Sequence, residues 1–316
     1  MSNTRTGILA MVGACTIWGL SPVYYKLLDH IPPLEVLAHR TLWSFVFFAG
    51  VLLFQGRLRQ MVGVMTNRRQ VLVVVLASAN ISVNWFLFIY ATMIGRNTET
   101  SIGYFIFPLV AVMIGYFTFG ERLNLLQKSA VALGVLAVLV LTVGLGSPPW
   151  ISLILASTFG IYGMIKKQLP LGPVLSVTCE VLVLVPIALL VIGYQHGAGQ
   201  GAFGPSLRDN ALLLFSGPIT ALPLILFSAA ARRVDLSTVG VLQYMNPTLQ
   251  FLCAALIFGE TLSLWHGIAF PMIWCALALY SIALWRQEEA APKAAIADSG
   301  VSTTVRNPPS DGSAKP

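Results

Sequence analysis

Short polar interruptions divide the chain into ten apolar segments, each at or near the length of a membrane-crossing helix. They run approximately over 7–28, 34–54, 71–93, 99–119, 124–144, 149–166, 172–193, 210–231, 236–258 and 264–285, the sixth being short. A hydrocarbon core about 30 Å thick takes about 20 helical residues at 1.5 Å each. Inside it a backbone has no water to bond, so a segment of this kind has to be helical. Composition agrees: only 10% of residues are charged and 56% are hydrophobic, against about 25% charged in soluble domains. The fold class expected is therefore an all-α membrane protein with ten transmembrane helices.

Two features need a decision before that reading stands. Arg5 followed by an apolar run has the look of a signal peptide. The run continues to about Leu28 and lacks a small-residue cleavage site before its polar end, so it reads as a retained first span. A net charge of +7 suggests a nucleic-acid partner. The basic residues form no single stripe, however. They cluster at the ends of apolar segments, where the positive-inside rule puts them, so no nucleic-acid partner is expected.

Orientation follows from the same residues. One set of loops holds Arg57, Arg59, Arg68, Arg69, Arg122, Lys128, Lys166, Lys167, Arg232 and Arg233, ten in all. The alternate set holds three, Lys26, Arg96 and Arg208. The richer side is read as cytoplasmic, and Arg5 and Arg286 put both termini there. The four cysteines, Cys15, Cys179, Cys253 and Cys275, lie in apolar segments without a CxxC pair. Neither a disulfide framework nor a metal site is indicated, and no cofactor is expected.

The chain also repeats itself. PLVAVMIGYFTFGERL (108–123) and PTLQFLCAALIFGETL (247–262) place Phe-Gly-Glu at one distance after a proline, an offset of 139. The same offset aligns Leu87, Phe88 and Ala91 with Leu226, Phe227 and Ala230, and an offset of 141 aligns Gly19 and Lys26 with Gly160 and Lys167. The organisation expected is a short N-terminus (1–6), a first five-helix repeat (7–144), a second (149–285) and a disordered cytoplasmic tail (286–316). Five spans per half make the halves inverted. Inverted repeats are a transporter signature, with substrate near the midplane between them. The Gly-rich stretch from Gly193 to Gly204 reads as an external loop.

Several stretches in this order are similar to a known family: IWGLSPVYYK (17–26), LAHRTLWSF (37–45), NWFLFIYA (84–91), SIGYFIFPLV (101–110) with FGERL, and STVGVLQYMNPTL (237–249) with FGETL. The chain resembles the EamA branch of the drug/metabolite transporter superfamily, specifically its RarD-type members. That resemblance implies ten helices in a basket, with spans one, three, four, six, eight and nine around a central cavity. It also implies a bacterial inner membrane.

The residues that could carry chemistry are few. Gln243, Asn246, Pro247 and Gln250 fall on one face of span nine, with Tyr244 beside them. Lipid would penalise that face, so it should look inward, towards a cavity or a neighbouring helix. Pro108 and Pro247 are expected to break spans four and nine equivalently. Asn80, Asn84, Trp85 and Phe88 on span three, Tyr104 on span four and Trp18 on span one complete a wall suited to amphipathic, aromatic or cationic solutes. Candidate proton- or ion-coupling groups are Glu35, His39 and Arg40 on span two and Glu180 on span seven. Glu35 and His39 are spaced to pair, whereas Glu180 has no local partner. Glu121 and Glu260 are expected to cap the helix that follows each.

Read together, these features favour a secondary transporter with a small-molecule substrate, the bilayer as its solvent and no obligate protein partner. No GxxxxGK[ST] motif is present, which argues against ATP drive. A passive channel, or an intramembrane enzyme using His39 or Glu180, is the competing reading; HExxH and GxSxG are absent. The Lys/Arg asymmetry generates a direct test. In a Cys-free background, a cysteine placed in the tail should resist a membrane-impermeant maleimide applied to intact cells; labelling from outside would remove the even-span topology.

Overall fold

A computed structural model describes residues 3–119, 123–166, 169, 171–234 and 236–298. Its helices are α1 (Asn3–Lys26), α2 (Pro33–Phe54), α3 (Leu58–Thr66), α4 (Arg68–Met93), α5 (Asn97–Phe119), α6 (Leu125–Leu145), α7 (Trp150–Lys166), α8 (Pro173–Gly197), α9 (Leu207–Ala231), α10 (Leu236–Gln243), α11 (Met245–Leu252) and α12 (Leu264–Asp298). A π-helical turn, Cys253–Ile257, continues α11. No strand occurs among the described residues. Eight helices (α1, α2, α4, α5, α6, α8, α9 and α12) are long and apolar enough to cross a membrane. The other two apolar helices, Trp150–Lys166 and Met245–Ile257, are shorter.

Polar caps set the boundaries. The Asn67 side chain accepts from the backbone N–H groups of Arg69 and Gln70 and starts α4. Asn124 and Gln127 form a reciprocal capping box at the start of α6, satisfying donors that the helix itself cannot. Pro33 and Pro173 occupy first-turn positions of α2 and α8, where the missing N–H costs nothing. Gly146, with φ +69°, ends α6 in the left-handed conformation that glycine adopts without penalty.

Four features depart from the sequence reading, and one follows it. α3 fills what reads as a polar loop; Leu58, Met61, Val64 and Met65 turn one face of it onto a core cluster with Val74, Leu175 and Cys179. α8 continues to Gly197 and shortens the Gly-rich loop. Span nine is broken as expected, between Gln243 and Met245, because the Pro247 ring has no N–H and would collide with the carbonyl four residues back. Span four is not broken: α5 runs through Pro108. Gly103 lets α5 lie against α7, since a Cβ there would sit 3.0 Å from the Ser152 carbonyl oxygen, and Phe107 meets Phe159 edge to face at 4.9 Å. This close packing on α7 accompanies the continuous course of α5 across the proline. Finally, α12 passes its apolar limit at Arg286 and reaches Asp298, into an alanine-rich part of the expected tail with high helix propensity. Residues 299–316 lie outside the described residues, as does Glu121.

Helix pairing organises the interior. α5 and α4 pack on α7, α9 and α11 on α1, α2 on both α8 and α9, and α6 on α12. Gly19 of α1 faces α11, where a Cβ would lie 2.5 Å from Leu249 Cβ. Gly160 of α7 faces α5, with a Cβ 2.8 Å from Ile114 Cδ1 and 3.6 Å from Val110 Cγ1. Glu260 does cap an N-terminus, but that of α5 rather than of the helix that follows it. Its Oε1 accepts the Asn97 backbone N–H at 2.6 Å and its Oε2 accepts the Thr98 backbone N–H at 2.8 Å. The Asn97 amide and the Thr98 hydroxyl add two further bonds, at 2.8 and 2.7 Å. The negative charge thus meets the positive end of the α5 dipole.

The two glycine contacts predict unequal tolerance. A Cβ at Gly19 runs into a Cβ, which cannot move without its helix, whereas one at Gly160 meets the flexible tip of an isoleucine. Gly19→Ala should cost about 1–3 kcal/mol by overpacking and Gly160→Ala clearly less. Thermal unfolding of the two purified variants in one detergent checks the order; equal melting temperatures would contradict it.

Candidate substrate site

Arg40 is the centre of the polar interior. It is 8% exposed. Its Nε donates to Thr220 Oγ1 of α9 at 3.0 Å. Its guanidinium carbon lies 4.3 Å from the Trp85 ring centroid on α4 and 5.7 Å from that of Tyr25 on α1. Four helices therefore meet at one cation. From Tyr25 a line of rings runs across the molecule: Phe88 at 5.9 Å, then Tyr104 at 6.0 Å, then Phe159 at 5.9 Å. Trp85 and Tyr104 stay half-buried, while Tyr25 and Phe88 are buried. Trp18 stands apart from this line and packs on Phe227 at 6.0 Å.

The amides of span three turn away from it. Asn84 donates to the Leu155 carbonyl at 3.0 Å and to Thr158 Oγ1 at 2.9 Å, and accepts from the Tyr104 hydroxyl at 3.2 Å. Asn80 donates to the Thr158 carbonyl. Both tie α4 to α7, which satisfies them inside the protein as lipid surroundings demand. Adjacent helical residues point about 100° apart, so Trp85 looks the other way, into the packing of α2, α8 and α9 that includes Leu224.

Span nine divides similarly. Gln250 is buried; it donates to Asn246 Oδ1 at 2.9 Å and accepts from Thr100 Oγ1 of α5 at 3.5 Å. Tyr244 packs against the core shared by α5, α6 and α12. Pro247 is buried, and Gln243 is half-buried and forms no hydrogen bond through its side chain among the described residues. Of the amide stripe, Gln243 and the Asn246 amide nitrogen are left to face a solute among the described residues.

The candidate coupling groups separate into three environments. Glu180 is 1% exposed and is not without a partner. Its Oε1 accepts from Lys166 Nζ at 2.6 Å and Ser176 Oγ at 2.8 Å, and its Oε2 accepts from the Tyr162 hydroxyl at 2.7 Å. The expectation of a lone carboxyl fails because Lys166, read as a loop cation, ends α7 and its long stem reaches back along α8. Glu35 is fully buried and its Oε1 accepts the Ala202 backbone N–H at 2.7 Å, from the loop between α8 and α9. His39 Nε2 is 4.0 Å from that oxygen, too far for a hydrogen bond. Among the described residues both His39 ring nitrogens and Glu35 Oε2 lack hydrogen-bond partners, and the imidazole stacks on Phe203 at 5.3 Å. Arg40, one residue on, points to the interior instead. Tyr25, Thr220, Tyr162, Ser176 and Lys166 were not singled out from the sequence. Only Lys166 carried a usable signal, a cation at a span end within reach of the next span.

Comparison with known proteins fits this architecture. The sequence profile of the EamA-like transporter family matches residues 5–143. A protein RarD of Streptomyces exfoliatus is 42% identical over 279 residues, covering 88% of this chain and 89% of its own. An uncharacterized transporter of Pseudomonas aeruginosa is 39% identical over 293 residues, 92% and 98% of the two chains. Protein RarD of Escherichia coli K12 is 36% identical, covering 88% and 94%. A solved crystal structure superposes on 90% of this chain and 99% of its own with TM-score 0.60 at 17% identity, which shows a shared fold. The helices and these relatives define a multi-pass membrane transporter rather than an enzyme. Within that class, the chain belongs to the EamA family and is of the RarD type.

The buried ion pair makes a prediction. Lys166→Met would leave the Glu180 carboxylate buried without its cation, a loss of roughly 3 kcal/mol. Adding Glu180→Gln removes the charge and should recover most of the lost melting temperature. If single and double variants melt alike, the pair is not what the region depends on.

Proposed function

We propose that the protein is a secondary transporter, independent of ATP, that carries small amphipathic solutes across the bacterial inner membrane by alternating access. Ten spans form two inverted five-helix repeats, with both termini cytoplasmic. Substrate binds near mid-membrane among α4, α5, α9 and α10–α11, against Trp85, Phe88, Tyr104 and Gln243, with Arg40 and Tyr25 completing the wall.

The observation that carries this reading is the pairing of the helices. Exchange each span with its counterpart five spans on. The packing of α5 on α7 becomes that of α11 on α1; α4 on α7 becomes α9 on α1; α2 on α9 becomes α8 on α4. The pairs α2–α8 and α6–α12 map onto themselves. Gly19 and Gly160, aligned by the repeat, pack on Leu249 and Val110, which the repeat also aligns. Such a pseudo-two-fold supports two halves that rock about a central site. The aromatic wall supports solutes with an aromatic or apolar body. A cationic solute fits less well, because Arg40 already holds the cation position over Trp85 and Tyr25.

Coupling is assigned first to Glu180, whose partners Lys166 and Tyr162 lie on α7 while it lies on α8. Any separation of those helices breaks both bonds. His39 and Glu35 are the second candidates.

Counterflow in proteoliposomes tests the proposal. Loaded with unlabelled solute, they should accumulate external labelled solute in a transient overshoot, which a channel cannot produce. Trp85→Ala should weaken apparent affinity roughly three- to tenfold through lost stacking. Gln55→Ala, at the exposed end of α2, should change nothing, and Glu180→Gln should flatten the pH dependence. Equilibration without overshoot would make the protein a channel.

A further inference from the structure

We propose that Arg40 is the recognition group for an oxyanion on the transported solute, so that the substrates are amphipathic anions whose carboxylate or phosphonate-like head binds the guanidinium. The inference rests on the carrier reading and narrows its substrate class.

Arg40 is set apart by what it lacks. A guanidinium stays protonated in proteins and offers five N–H donors in a rigid plane. One, on Nε, is used by Thr220. Nη1 and Nη2 donate to no protein group, and no carboxylate forms an ion pair with Arg40, among the described residues. Neither buried acid of α2 and α8 pairs with Arg40. Glu35 accepts from the Ala202 backbone through Oε1 and keeps Oε2 without a partner among the described residues, and Glu180 is held by Lys166, Ser176 and Tyr162. Lys166, the other cation drawn into the helical interior, has a carboxylate partner. Arg40 is more buried than Lys166 and has none.

A buried cation without an anion is costly in any protein and more so in a membrane, where such groups mark substrate or ion pathways. The Trp85 and Tyr25 rings offset part of that cost. They do so through the guanidinium carbon, leaving the in-plane fork of Nη1 and Nη2 for a bidentate oxyanion. The half-buried rings of Trp85 and Tyr104 are placed for an apolar body attached to that head. Chemistry and geometry thus specify one kind of molecule: an oxyanion joined to an aromatic or apolar group.

Four probes of similar size separate the terms: phenylacetate, its neutral amide, phenethylamine and benzylphosphonate. Binding to the purified full-length protein would be measured by calorimetry in detergent, and again in nanodiscs of purely zwitterionic lipid. Phenylacetate or benzylphosphonate should bind roughly ten- to a hundredfold tighter than the amide, the range for a charge-assisted hydrogen bond, and the amine should bind most weakly. Arg40→Gln should erase the advantage of the anion and leave amide binding as it is; its empty form should melt no lower than the parent. Arg40→Lys should keep part of the advantage. If Arg40→Gln does not fold, the acid–amide comparison in the parent and the Arg40→Lys variant decide. The proposal is overturned if the acids bind no tighter than the amide, or bind not at all. It is also overturned if their advantage survives Arg40→Gln, or if only anionic lipid added to the nanodiscs engages Arg40. Should the amide show counterflow overshoot while the acids hold no advantage, the carrier reading stands and the anion assignment falls. Absence of overshoot with every probe overturns the carrier reading itself.

Discussion

In hydrocarbon a polar group can be satisfied only by the protein it belongs to, and that demand shapes every level of this molecule. It makes the backbone helical. It also explains why the interior side chains that look reactive in sequence are mostly engaged with each other. The Asn80 and Asn84 amides bond to α7, Gln250 bonds to Asn246, and Glu180 gathers three donors. Against that background an unsatisfied group stands out. Among the described residues Glu35, His39, Trp43, Ser44, Asn97 and Glu99 keep buried polar atoms without a partner, and Arg40, on another face of α2 from Glu35 and His39, uses only its Nε.

The same demand links fold to site. Amides that tie α4 to α7 fix the side of α4 that carries Asn84, and so fix where Trp85 must point. Trp85 in turn lies against Arg40, which Thr220 holds from α9. The position of the guanidinium is therefore a result of helix pairing rather than of any local motif. Three helices have to be in place before a fourth can present a charge to the interior.

Much of the fold was legible in the sequence, because hydropathy and helix length answer to one physical quantity, the thickness of the hydrocarbon. The apolar spans, the weak sixth segment and the break near Pro247 all follow from that and from the chemistry of proline. Pro108 shows the limit. The residue is the same, but its helix is continuous where a glycine lies close against α7, and a tertiary contact leaves no trace in a single segment. α3 was missed because its apolar face spans only nine residues, too few for periodicity to separate from a loop. The site was less legible. Its residues were mostly named, but their roles depend on rotation about the helix axis. Asn84 and Trp85 are neighbours in sequence and look in different directions. Glu180 appeared isolated because its partner Lys166 lies 14 residues away, across a helical hairpin.

Glu260 is also a mechanical element. One carboxylate, carried three residues beyond the π-helical turn, is gripped by four donors from the first two residues of a helix more than a hundred and sixty positions earlier in the chain. A contact spread over many side chains can be peeled apart by degrees. A clasp built on one side chain cannot, since both oxygens lose their donors in the same small displacement. The start of α5 is thus tied to the far half of the chain through a single charge, and both of its oxygens would let go together.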